Sequence, residues 1–162
     1  MTGFPTLKFF PKGSTEPLAY NSGRSEEAFV NFLNEHAGTF RLPGGGLNDK
    51  AGLIPEFTEK LKELVKGDAD SLSAVTKEVI KLAETAAENS PAGVYVKILE
   101  KLVSDDGYVE KEMERLGRML KKGGLVPEKA DQLTVKKNIL SMFWSHLTDP
   151  VPEDNVEARD EL

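Results

Sequence analysis

The sequence predicts a mainly α-helical chain: a five-helix bundle preceded by a β-hairpin and a single helix. Three observations carry that prediction. Apolar residues recur at three- and four-residue spacing from Pro55 to Leu147, strand-like runs occur only before Asn21, and a glycine-rich break separates the two patterns.

Taken in order, Thr6-Leu7-Lys8-Phe9-Phe10 and Pro17-Leu18-Ala19-Tyr20 are short strand-like runs on either side of the turn-rich Pro11-Lys12-Gly13-Ser14, which makes a hairpin. Ser25 is placed to cap a helix that carries Ala28, Phe29, Phe32, Leu33 and His36 on one stripe and ends near Gly38. Two strands and one helix in about 40 residues bury little apolar surface, so residues 1–40 are expected to be marginal by themselves. Residues 41–52 lack periodicity and contain Pro43 and Gly44-Gly45-Gly46, the composition of a flexible linker. No Lys-Ser/Thr pair follows the glycines, as a phosphate loop requires.

Pro55 opens the first bundle helix, with Phe57, Leu61, Leu64 and Val65 inward. Asp70 or Ser71 caps the second, which carries Leu72, Val75, Val79, Leu82 and Ala86 and runs out near Asn89. Ser90 caps a third with Pro91 at its first position and Val94, Ile98, Leu99 and Leu102 facing the core. Asp105-Asp106-Gly107 breaks it. A fourth presents Val109, Met113, Leu116 and Leu120 before Gly123-Gly124. The fifth starts near Pro127, places Ala130, Leu133, Ile139, Leu140, Phe143, Trp144 and Leu147 at helical spacing, and stops at Asp149-Pro150. Two methionines of the bundle and Trp144 are expected in the core. Residues 53–147 therefore form one all-helical domain, and residues 148–162 an acidic tail.

Composition excludes several function classes. The 162 residues carry 21 Lys and Arg against 27 Asp and Glu, interleaved along the helices, so no nucleic-acid partner is expected. No apolar run approaches the roughly 20 residues of a membrane span. The two histidines, His36 and His146, fall in different units, and Asp105-Asp106 lacks the spacing of a calcium loop, so neither a metal site nor a cofactor is expected. There is no cysteine. Thiolate chemistry is therefore impossible in this chain, and no catalytic residue is assigned.

Two stretches and the terminus carry family information. Gly3-Phe4-Pro5-Thr6-Leu7-Lys8-Phe9-Phe10 with Pro11-Lys12-Gly13, continued by Tyr20-Asn21-Ser22-Gly23-Arg24-Ser25 and the helix after it, resembles the second half of a thioredoxin domain of the protein disulfide isomerase family. The resemblance implies that Pro5 is the cis-proline opposite the family's redox cysteines, and that Phe4, Pro5 and Thr6 meet an extended substrate peptide. The half that carries Cys-Gly-His-Cys in that family has no counterpart here. Residues 52–147 resemble the helical D domain that follows thioredoxin modules in fungal and plant-type disulfide isomerases and that ends a redox-inactive chaperone of the animal secretory pathway. Arg159-Asp160-Glu161-Leu162 resembles the Lys/His-Asp-Glu-Leu retrieval signal, with Arg159 keeping the charge at the first position.

These resemblances imply a piece of an endoplasmic-reticulum disulfide isomerase that begins in mid-fold and keeps the parts for client binding and retention, but not the redox cysteines. The implied partners are unfolded or folding secretory proteins and the retrieval receptor, and the implied location is the lumen. The alternative is a non-catalytic chaperone or escort module in which an apolar groove of the helical domain holds exposed hydrophobic segments.

Overall fold

A computed structural model describes residues 6–88 and 90–148. Its first elements are the strands β1 (Lys8–Phe9) and β2 (Leu18–Ala19), paired antiparallel with Lys8 opposite Ala19 and Phe9 opposite Leu18. The strands are shorter than the apolar runs that predict them. Helix α1 (Glu26–Ala37) begins where Ser25 Oγ accepts the Ala28 N–H, and ends at Gly38 in the left-handed conformation (φ 63°). No residue of α1 is fully buried. What holds it to the hairpin is a small aromatic cluster: Tyr20 stacks on Phe29 at 4.7 Å between ring centroids, and Phe32 meets Phe9 edge-on at 5.8 Å.

Five helices follow: α2 (Pro55–Leu61), α3 (Ala69–Thr85), α4 (Ala92–Ser104), α5 (Tyr108–Lys122) and α6 (Pro127–Thr148). The punctuation read from the sequence recurs at their ends, with Pro55 in the first turn of α2 and Gly123 closing α5 at φ 69°; at α4 the cap position is Pro91, one residue after the predicted Ser90, whose Oγ accepts the Ala92 N–H. The start of α3 is set by Asp68, whose carboxylate accepts the Asp70 N–H, two residues earlier than the predicted cap. Its end comes at Thr85, short of Asn89.

One core joins all five helices. Phe57, Leu61, Val75, Val79, Ile98, Leu99, Leu116, Ile139, Leu140 and Phe143 are buried in it, as their spacing predicts. Tyr95 lies at its centre, fully buried between Phe57 (5.0 Å) and Phe143 (6.2 Å). Each large side chain removed from water here contributes about 1.5–3 kcal/mol, enough together to offset the ordering of short helices that would be unstable alone. Two expectations fail. Val65, predicted inward, is 52% exposed because α2 ends at Leu61 and the chain has left the helical register, and Trp144, predicted in the core, is 36% exposed.

The stretch 41–52 carries a defined set of contacts. Arg41 forks onto Asp131 of α6 with N–O distances of 2.9 and 2.6 Å. The Asn34 side chain brackets the Arg41 backbone, accepting its N–H and donating to its carbonyl, both at 2.8 Å. The Gly44 N–H donates to Glu26 at 2.7 Å. At the far end the Asn138 amide donates to the carbonyls of Asn48 and Ala51. Gly52 (φ 83°) packs so closely on Val135 that a Cβ there would clash.

Candidate functional site

Helix lengths bring four helix ends to one place. The loop after α2, the first turns of α3 and α5, and the last turns of α4 and α6 surround a groove of about 500 Å³. Its floor is apolar, made by Leu64, Leu72, Leu102, Val109, Trp144 and Leu147. Val65 and Val103 flank it, and Val103 is 66% exposed. Among the described residues of the bundle, five large apolar side chains are exposed, and three of them, Val65, Val103 and Trp144, are on this groove. Scattered singly, exposed apolar residues need no explanation, but gathered around a concave floor they form a surface suited to another apolar group.

Helix geometry explains why these side chains stay outside the core. Leu102 completes the buried row of Ile98 and Leu99 on α4, and the next residue, Val103, is rotated by about 100° and turned outward. Trp144 stands beside the buried Phe143 in the same way. A sequence signal for the groove therefore exists: an apolar residue one step past the core stripe, near a helix end. Periodicity alone absorbs such residues into the stripe.

The rim is charged. Asp68 and Lys66 lie on the α2–α3 loop, and Asp106 and Glu110 at the start of α5. Among the described residues no group of three His, Asp or Glu is placed to hold a metal, and no helix there is long and apolar enough to cross a membrane.

Other polar groups in the bundle hold it together. Glu112 of α5 receives Arg115 at 2.7 and 2.8 Å and Lys136 of α6 at 2.6 Å, which lowers its pKa to about 2, chiefly through the Arg115 hydrogen bonds and then those of Lys136. Burial raises the pKa of the Tyr95 hydroxyl, which accepts the Ile54 N–H at 3.0 Å and so ties the start of α2 to α4. Sequence reading singled out neither residue for a polar role. Tyr95 lies within an otherwise apolar stripe, and Glu112 reads as one more charge on an amphipathic helix.

Of the sequence-predicted site residues, Thr6 is an exposed residue just before β1. Phe4, Pro5, Arg159, Asp160, Glu161 and Leu162 lie outside the described residues. Thr6 belongs to the hairpin unit and takes no part in the groove.

Residues 52–143, which include α2 to α5 and most of α6, match the family described as endoplasmic reticulum protein ERp29, C-terminal domain. The chain belongs to the ERp29 C-terminal domain family. Outside this domain the similarity continues to proteins named disulfide isomerases. The chain is 46% identical over 155 residues to protein disulfide-isomerase erp38 of Neurospora crassa, covering 95% of this chain and 42% of the relative. It is 44% identical over 162 residues to protein disulfide-isomerase tigA of Aspergillus niger, covering 100% of this chain and 41% of that protein. With protein disulfide isomerase-like 2-2 of Oryza sativa subsp. japonica it shares 42% over 151 residues, 90% of this chain and 40% of the relative. It thus spans about two fifths of the length of these relatives, and the ERp29 C-terminal domain accounts for its bundle but not for its hairpin unit.

Proposed function

We propose that this chain is the client-binding portion of an endoplasmic-reticulum protein of the disulfide isomerase kind, and that its groove holds apolar segments of unfolded secretory proteins. The observation that carries this is the gathering of Val65, Val103 and Trp144 on one apolar groove in a chain without a cysteine. Similarity to named disulfide isomerases along the whole chain supports the setting. Thiol exchange needs an attacking thiolate, so disulfide chemistry belongs to residues this chain does not contain. What it supplies is binding, which keeps an unfolded client within reach of that chemistry.

The hairpin unit is then the second half of a thioredoxin domain, with Phe4, Pro5 and Thr6 on its peptide-binding side. Arg159 to Leu162 are the address read by a retrieval receptor in the lumen. Fused behind a secretory leader, the chain is retained in cells, and deletion of Leu162 releases it; equal secretion of both forms removes the retrieval role.

Suppression of aggregation tests the binding role. A reduced, denatured secretory protein diluted into buffer should scatter less light when the chain is present at equal concentration, and Val103→Asp should abolish the protection while leaving the helical signal intact. Undiminished scattering with the unsubstituted chain would remove the proposal.

A further inference from the structure

The groove's charge narrows what it can hold. Three carboxylates, those of Asp68, Asp106 and Glu110, stand on its walls against a single lysine, Lys66. Asp105 is neutralised by Lys111 at 2.9 Å, but among the described residues neither Asp106 nor Glu110 makes an ion pair. Helix dipoles do not offset this charge. The amino ends of α3 and α5 bring partial positive charge to the groove, and the carboxyl ends of α4 and α6 bring partial negative charge of the same size. The field at the groove mouth is therefore that of the carboxylates.

We infer that the groove selects apolar segments bearing Lys or Arg beside the apolar residues, through the apolar surface around Val103 and Trp144 and the Asp106–Glu110 rim. This rests on the client-binding reading above and names the class of client. It also ranks the occupants. The chain's own tail, residues 149–162, carries six acidic residues against one arginine, and a second copy of the chain has a net charge of -6, so both are repelled by the rim that attracts a basic segment.

The test uses the full chain and labelled peptides with a Leu-Phe-Val core flanked by either lysines or glutamates. Anisotropy reports binding anywhere on the protein, while the fluorescence of Trp144, the single tryptophan, reports occupation of the groove. The lysine peptide should bind about tenfold tighter at low salt, a preference that shrinks as the screening length falls from about 10 Å at 0.1 M to about 3 Å at 1 M. Its binding should shift Trp144 emission to the blue. Val103→Asp should lose binding, and the double variant Asp106→Asn, Glu110→Gln should keep apolar binding and lose the preference. Equal affinity for the two peptides, or a preference that survives the double variant, overturns the inference. So does binding without a Trp144 response, which moves the client site out of the groove and leaves standing only that the chain binds clients. If no peptide binds by either signal, that reading falls too. A Trp144 shift on truncation before Asp149, or on self-association without peptide, would make the tail or a second copy the occupant and overturn the proposal.

Discussion

Replacing Glu112 by Gln keeps the shape of the side chain and removes the charge that joins α5 to α6. In the folded protein Arg115 and Lys136 hold the Glu112 pKa at about 2, against an ordinary 4.5. Each pH unit of difference corresponds to ~1.4 kcal/mol, which sets a ceiling of roughly 3.5 kcal/mol on the stabilisation from ionised Glu112. Arg115 is half exposed, so solvent screening lowers this to about 2 kcal/mol. The sign follows from the direction of the shift. A carboxylate with a depressed folded pKa stabilises fully above its unfolded pKa, and that contribution is lost as pH falls from the unfolded value through the folded one. Urea unfolding followed by far-UV circular dichroism should therefore show Glu112→Gln to be less stable by about 2 kcal/mol at pH 7, with most of that difference gone near pH 2.5. A difference below about 0.5 kcal/mol at pH 7, or one of equal size at both pH values, would mean that the Glu112 charge does not stabilise the fold.

Three further changes probe the frame around the groove. Gly52→Ala should destabilise the bundle by about 2–4 kcal/mol in the same urea experiment, since it forces a Cβ onto Val135 at a positive φ; a neutral outcome would mean α6 can move away. Tyr95→Phe should cost about 1–2 kcal/mol by leaving the Ile54 N–H without its acceptor, also read from urea unfolding, and a cost near zero would show that another acceptor replaces it. Arg41→Ala should leave bundle stability nearly unchanged but speed limited proteolysis near Gly44 to Gly46, because the Asp131 fork is lost; an unchanged cleavage rate would mean that Asn34, Glu26 and Asn138 alone hold the stretch.

Helix number, order and most caps were legible in the sequence because they depend on local signals. Ser25, Pro55, Ser90 and Gly123 each satisfy or terminate a helix within a few residues of themselves. Features that depend on long-range packing were not. The Arg41–Asp131 fork joins residues far apart in sequence, as does Asn138 with the Asn48 and Ala51 carbonyls, and nothing local to either partner announces them. Trp144 shows a different limit. Periodicity places it in the core, but the meeting of four helix ends leaves it on a groove. Val65 was misplaced because helical spacing was extended beyond Leu61, where the helix stops.

Hydrogen–deuterium exchange on the full chain, with and without a reduced unfolded client, tests the groove's role most directly. The client should slow exchange at residues 64–69, 102–110 and 144–148, the segments that enclose the groove, and Val103→Asp should remove this protection. Unchanged exchange at all three segments, with protection confined to the hairpin unit at residues 6–37, would contradict that role.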